Sequence, residues 1–461
     1  MKPRMLLAAA LVLLAAPAGA QHLPEPGIPD GIQLINISKV AHDKYQSVFP
    51  WVVVSRSDPK LVAVAWRQWG LPLDTDSPNF IAECHVAISH DGGHSFTDTD
   101  LMKYLRTAGG DNGPYHADAQ GMPRLNGCNA PYAAIANDGT IYAGGSVYTT
   151  LGTLPPLPRL KAGRVGVSVS KDSGKSWSPI KVGIRLDRLA DGLTGLNGGM
   201  EPNPDTPWDG AGGVVDPQTG TFYTATGRYI AATDDKGESF GTVYASRGTA
   251  SAAFGTLIAA NTVQERADAK CPCLVLSTST GKGKSWTDHL VAQADQYNAT
   301  GQVRYPIAAA NPAKAGSYAI GVYAPDQKSV KVYYSDDYGQ NWKMAAPRPV
   351  PASVLYPAGV RQVDVGYTSD GHVLVTWRTW RNAAAHNSFV AMMTGDSFGP
   401  TVKITPELSI DPPSSLDTWY NGDFTNWVVG NNTDAFVAFV FAPKGQNEDT
   451  WLARVPLSLL R

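Results

Sequence analysis

Short runs of branched and aromatic residues recur along this chain, each broken off by Gly, Asp, Asn or Pro after four to nine positions. "VFPWVVVS" (48–55), "ECHVAIS" (83–89), "GRVGVSVS" (163–170), "VKVYYS" (330–335) and "AFVAFVFA" (435–442) are examples. Such runs, bounded by turn residues, read as β-strands. After several of them stands the same polar octet: "SHDGGHSF" (89–96), "SKDSGKSW" (170–177), "TDDKGESF" (233–240), "STGKGKSW" (279–286) and "SDDYGQNW" (335–342). Its glycine frees the backbone for a tight turn, and its Ser and Asp side chains can bond the turn's own amides. The closing aromatic is expected to pack under the hairpin.

A second echo precedes four of these turns by 27 to 40 residues: "FPW" (49–51), "APY" (130–132), "TPW" (206–208) and "YPI" (305–307). Repetition at this period in an all-β pattern predicts a solenoid or a propeller. Inner strands counted from the pattern start near 48, 130, 207, 253 ("FGTLIAAN"), 304, 361 and 422. The fold expected is therefore all-β, a seven-bladed β-propeller, with a six-bladed arrangement as the alternative. The last blade shows three clear strands, and "GIQLINIS" (31–38) is the natural fourth, closing the ring. Residues 97–126 and 181–204 read as Gly-, Asp- and Asn-rich insertions.

Composition agrees. Of 461 residues, 46 are Gly and 34 Pro, 43% are hydrophobic and only 17% charged, which suits many strands and turns. Residues 1–20 carry Lys2 and Arg4, an apolar run and an "AGA" cleavage site, an export signal too short to span a bilayer. The expected organisation is thus a signal at 1–20, a segment at 21–44 that supplies the closing strand, and a propeller over 45–461, in a secreted or periplasmic protein. Removing the signal leaves 36 positive against 40 negative side chains, a net −4, so neither nucleic acid nor, after cleavage, a membrane is the expected partner. Cys84 and Cys128 make a plausible staple in an oxidising compartment. Cys271 and Cys273 stand too close for an easy bridge to each other.

The pattern Ser/Thr-x-Asp-x-Gly-x-x-Trp/Phe resembles the Asp-box, the bacterial neuraminidase repeat, from about residue 45 onward; in the copy at 279–286, Gly281 stands in the Asp place. The resemblance implies a sialidase-like propeller in which each box joins the third and fourth strands of a blade. Ligands then belong to the other end of the channel, where the strand 2→3 loops and the blade-to-blade connections converge. That rule discounts His90, His94 and His289, and keeps His85, His116 and His386, the last in the 2→3 loop of blade 6. It selects Tyr148 and Arg164, flanking a Pro-rich loop, with Asn129 and Tyr132 beside them. Arg67, Trp208, Asp209, Arg304, Arg361 and Asp423 take comparable positions in other blades. His42 and His372 read as structural.

Sialidases hold a carboxylate with three arginines, the first in Arg-Ile-Pro on the first inner strand; here Val48 stands there, and "VRYPIA" (303–308) falls in blade 5. A second resemblance is to the seven-bladed ulvan lyases and rhamnosyl–glucuronate lyases, which use two early histidines and then a tyrosine and an arginine sixteen residues apart, the separation of Tyr148 and Arg164. It implies a polysaccharide lyase that removes C5–H of a uronate and expels the O4 substituent. The implied catalytic set is His85 and His116 as the early pair, His85 or Tyr148 as base, Tyr148 as acid and Arg164 on the developing enediolate charge. Asn129, Tyr132, Trp208, Arg304 and Arg361 are the expected substrate contacts, and an acidic polysaccharide the partner. The alternatives are an exo-glycosidase, sialidase-like or an α-L-rhamnosidase, and a non-catalytic glycan-binding propeller. This chemistry needs no cofactor. Asp209, Asp364 and Asp423 offer oxygens of the kind calcium prefers, though no contiguous calcium loop is present.

Overall fold

A computed structural model describes residues 27–40, 46–70, 81–105, 127–151, 159–185, 212–226, 229–248, 250–297, 307–326, 328–349, 360–382, 385–407, 409–410, 426–443 and 448–461. They form seven separate antiparallel sheets, six of four strands and one whose outer strand is broken into short pieces. The inner strands are Gln46–Val54, Gly127–Ile135, Gly212–Val215, Ala250–Ala253, Ile307–Ala310, Val360–Tyr367 and Asn426–Gly430. Each touches the next, and the seventh touches the first, so the sheets close into a ring. The protein is a seven-bladed β-propeller. In blade 7 the outermost strand is Gln33–Asn36, which runs antiparallel to Asp449–Pro456 with Gln33 opposite Arg454 and Asn36 opposite Trp451. The two ends of the described chain are therefore joined in one sheet, which fastens the ring.

Three strand readings change. "FGTLIAAN" begins with a turn: Phe254 and Gly255 both have positive φ (53° and 73°), and the chain reverses there between Ala250–Ala253 and the second strand, Thr256–Val263. The supposed insertions at 97–126 and 181–204 each open with a real fourth strand, Thr97–Asp100 and Lys181–Arg185. "TDTD" carries no apolar signal because an outermost strand has only one neighbour strand and is mostly wet.

The apolar cores lie in the seams between blades. Tyr132 shows how closely they pack. Its ring is fully buried, and a Cβ on Gly213 would lie 2.4 Å from it; a Cβ on Gly144 would lie 2.0 Å from Gly166 O. Only glycine fits at either place.

The five repeated octets connect strands 3 and 4 of blades 1 to 5. In each, the first hydroxyl accepts the N–H of the glycine four residues on, from Gly93 to Ser89 Oγ at 2.8 Å through Gly339 to Ser335 Oγ at 3.0 Å. In four of them the Asp carboxylate accepts the N–H of the residue four positions later, at 2.8–3.0 Å. These donors hold the carboxyls below their usual range: the Ser176 hydroxyl, first among several, brings Asp172 to about 2, and the Asn341 amide does the same for Asp337. The closing aromatics do not pack under their own hairpins alone. Phe96, Trp177, Phe240, Trp286 and Trp342 each join an inter-blade cluster, so the turn is also a seam fastener.

Cys84 and Cys128 form a disulfide between strand 3 of blade 1 and the inner strand of blade 2, with Cα atoms 5.7 Å apart. Cys271 and Cys273 are also bridged, against the expectation from spacing, with their Cα atoms 4.3 Å apart.

Candidate functional site

The strand 1→2 turns share one end of the channel with the repeated octets, and their side chains bridge blade to blade. Ser57 Oγ donates to Asn137 O (2.6 Å) and Asn137 Nδ2 donates to Pro217 O. Gln218 Nε2 donates to Pro312 O (2.8 Å), and its Oε1 accepts from Phe254 N (2.8 Å). Asn311 Nδ2 donates to Gly371 O (3.3 Å), Ser369 Oγ to Gly430 O (3.4 Å), and Arg56 Nη1 to Ser369 Oγ (3.3 Å). A polar circuit through all seven blades therefore spans this end.

The other end is built from the starts of the inner strands. In blades 1, 2 and 6 the ladder jumps at one place: Val48 faces Arg67 and the next pair is Trp51 with Ala65; Asn129 faces Ser146, then Tyr132 faces Gly144; Arg361 faces Arg378, then Asp364 faces Thr376. Two of these bulges contain Pro50 and Pro131, preceded by Phe49 (φ 59°) and Ala130 (φ 46°). Proline cannot donate to a ladder, so it belongs where pairing is interrupted, which explains the "FPW" and "APY" echo. The bulges set Val48, Asn129 and Arg361 at one level of the channel.

One strand outward at that level lie Arg67 and Arg378, 2% and 0% exposed. Arg67 Nη1 donates across the seam to Asn129 Oδ1 (2.9 Å), and its guanidinium lies 5.6 Å from the Phe49 ring centre. Arg378 does the same one seam before closure, with Nε to Asn426 Oδ1 (3.1 Å) and Nη2 to Val440 O (3.3 Å). Hydrogen bonds from a charged donor in such surroundings contribute about 1.5–3 kcal/mol each, so both arginines tie adjacent blades together beneath the channel mouth. The sequence signal is the repeated Trp-Arg-x-Trp, at 66–69 and 377–380. Sequence reasoning singled out Arg67 and missed Arg378.

The expected site residues divide by where they fall. His85 is 3% exposed and stacks on Trp66 (centroids 5.2 Å apart, 17° between planes), with Nδ1 3.2 Å from the Asp98 carboxylate. Its Nε2 is buried and meets no partner among the described residues. Neighbouring Cys84 crosses to blade 2, so His85, one residue on, faces the other way, toward blade 7. Blade 1 thus does not turn His85 toward blade 2, where Tyr148 and Arg164 lie. Those two sit on the paired strands Ile141–Leu151 and Arg159–Ser170: Tyr148 is opposite Gly163 and Arg164 opposite Val147, adjacent steps of the ladder. Arg164 lies five residues inside its strand rather than at the beginning.

Asn129 is 8% exposed with its amide oxygen engaged by Arg67. Tyr132, expected as a substrate contact whose ring could serve as a sugar platform, has a packing role instead: its ring is enclosed, and its hydroxyl lies 3.1 Å from Gly166 O and 2.9 Å from Thr224 Oγ1. Burial raises its pKa, so the phenol stays neutral. Arg361 is placed by register only. His116, Trp208 and Arg304 lie outside the described residues, as do Asp209, Asp423, His22, His42 and residues 1–26.

His386 belongs to strand 3 of blade 6, opposite Trp380, and is fully buried with Nε2 3.4 Å from Val440 O. Burial, then the Arg378 charge, push its pKa well below the usual value, so it is neutral. Asp364 is likewise buried. Its Oδ2 accepts from Val428 N (2.8 Å), and burial raises its pKa well above the carboxylate range. Among the described residues no group of three or more His, Cys, Asp and Glu could hold a metal ion.

No protein-family profile matches the chain, and no curated protein sequence matches it. Among solved structures, a protein of unknown function from Dyadobacter fermentans DSM 18053 is 14% identical, with TM-score 0.45 over 93% of this chain and 100% of that one. A Trypanosoma rangeli sialidase in complex with 2,3-difluoro-KDN is 11% identical, with TM-score 0.43 over 93% of this chain but only 58% of its own. The Hadza microbial sialidase Hz136 is 12% identical, with TM-score 0.40 over 91% of this chain and 67% of its own. Likenesses this distant carry nothing about activity.

Proposed function

We propose that this propeller is a carbohydrate-active enzyme that works at the channel end away from its Asp-box turns, and that it cleaves a rhamnosyl–glucuronate linkage in an acidic polysaccharide by β-elimination. The supporting observation is the contrast between the two ends. One is bridged by the turn-to-turn circuit, while at the other the strands that carry Asn129 and Arg361 are braced by Arg67 and Arg378. Rigid polar groups at a mouth where long connections arrive suit a glycan, and a guanidinium suits its carboxylate.

In the elimination a base takes the C5 proton of the uronate, the C5–H electrons form the C4–C5 double bond, and the C4–O4 bond breaks as an acid protonates O4. Tyr148 is the proposed proton-transfer group and Arg164 the partner of the developing enediolate. His116 is the remaining candidate for the early histidine. The inward-turned His85 is assigned to holding strands 3 and 4 of blade 1 through Asp98. Export follows from the N-terminal signal, and the chemistry needs no cofactor.

The test is ultraviolet absorbance of mature protein mixed separately with ulvan and with gum arabic. A rising unsaturated-uronate signal that Tyr148→Phe abolishes is expected. Free rhamnose without absorbance would transfer the reading to hydrolysis. Silence on both, with no sialic acid released from a reporter, would leave a binding propeller.

A further inference from the structure

Arg56 stands at the opposite end of the channel from the proposed glycan site. It leaves the strand 1→2 turn of blade 1 and reaches the turn of blade 6, passing the turn of blade 7 between them. Among the described residues, one of its five N–H donors meets an acceptor, Ser369 Oγ at 3.3 Å, and Arg56 makes no ion pair. The described carboxylates of the strand 1→2 turns are engaged elsewhere, Asp138 with Lys236 and Asp434 with Arg454. Asp58 accepts from Lys60 N, Asp216 accepts from Gln218 N, Thr219 N and Gly255 N, and Asp370 accepts from Thr368 Oγ1 beside His372. Arg56 is half-buried where it crosses between the turns, and burial lowers the pKa of its guanidinium to about 10.

A guanidinium in such a place holds its proton and so keeps an unmatched charge, which costs free energy unless something diffusible neutralises it. The circuit of side chains restricts that partner to something small, since one arginine spans from blade 1 to blade 6. We propose that Arg56 holds a small inorganic anion at this end of the channel, where it completes the polar circuit that binds blade 1 to blades 6 and 7. The site is independent of the glycan reading, and the failure of either leaves the other standing.

The test has a structural and a solution arm. Crystals of the mature protein are soaked in bromide, and anomalous difference density is compared between wild type and Arg56→Gln. A bromide peak within hydrogen-bonding distance of Arg56, lost in the variant while other peaks remain, is the expected result. In solution, the melting midpoint is followed as chloride replaces gluconate at constant ionic strength. Wild type should rise with the logarithm of chloride concentration above Kd, reaching roughly 2–5 °C at a hundredfold excess over Kd. Arg56→Gln should stay flat, and Arg56→Lys should keep part of the rise. No bromide at Arg56 in wild type overturns the proposal. So does equal chloride dependence in wild type and Arg56→Gln. Should Arg56→Gln not fold, Arg56→Lys and the wild-type map decide. A peak with no chloride-dependent rise in the wild-type midpoint would mark an adventitious ion only, and would also overturn it.

Discussion

Gly281 is the one place where a repeated turn lacks its carboxylate, and restoring it should stabilise the protein. Gly281 is exposed and does not have positive φ, and a Cβ there meets nothing nearer than Lys284 Cβ at 3.7 Å. In the sister turns the Asp accepts an N–H at 2.8–2.9 Å from the serine four positions on, and that serine's hydroxyl as well. Ser285 offers the same two donors to position 281. Replacing glycine where another residue fits gains about 0.4–1 kcal/mol through the unfolded state. Exposed hydrogen bonds to a carboxylate add roughly 1 kcal/mol. Gly281→Asp should therefore gain about 1–2 kcal/mol and Gly281→Ala about 0.5 kcal/mol. Thermal melting followed by tryptophan fluorescence should show the Asp variant roughly 1–3 °C above the parent and clearly above Ala. The sister carboxyls have depressed folded pKa values, so the margin of Asp over Ala must be complete above the unfolded pKa of about 4 and shrink as pH falls toward 2. Equal midpoints for Asp and Ala at pH 7, or a margin that does not shrink in acid, would refute the account of the turn.

Four further outcomes follow from the seams. Replacing Cys84 and Cys128 by serine opens a 44-residue loop and should cost about 4 kcal/mol by loop entropy, read as a lower denaturation midpoint that reducing agent no longer changes. Arg378→Met leaves the Asn426 oxygen and Val440 O short of a donor and should cost about 3 kcal/mol or more, with the same seam opening first in hydrogen exchange. Tyr132→Phe should lower stability by about 1–2 kcal/mol and leave glycan affinity unchanged; an affinity loss at unchanged stability would restore the platform role. The raised pKa of Asp364 means that its stabilising protonated form prevails below the unfolded pKa near 4 and is lost as pH rises through the folded value. Asp364→Asn should remove that decline, and urea midpoints from pH 4 to 8 would reveal it.

Architecture was legible because it is repetitive and local. The octet carries its own hydrogen bonds within eight residues, so Ser170, Asp172, Gly174 and Ser176 announce the turn wherever they occur. Five such turns on short strands leave little but a propeller. The Phe254–Gly255 turn and the polar strand Thr97–Asp100 were misread for an equally local reason. Positive φ is not written in a phenylalanine, and a wet outer strand has no apolar pattern to show.

The site depends on parity and seams, which one chain's local pattern does not contain. Whether His85 faces blade 2 or blade 7 is decided by the ladder register together with the Cys84–Cys128 bridge. Tyr132 looks like a sugar platform until Gly144 and Gly213, distant in sequence, are found packed around it. Arg378 acquires its role only when blade 7 supplies Asn426 and Val440 O across the seam. The sequence by itself determined the seven-fold β pattern and the chemistry of its turns, since those rest on contacts between near neighbours in the chain. The tertiary structure alone decided which side chains reach the channel and which fasten the blades, because a pleated strand turns alternate residues to opposite seams and only ring closure says what each seam contains.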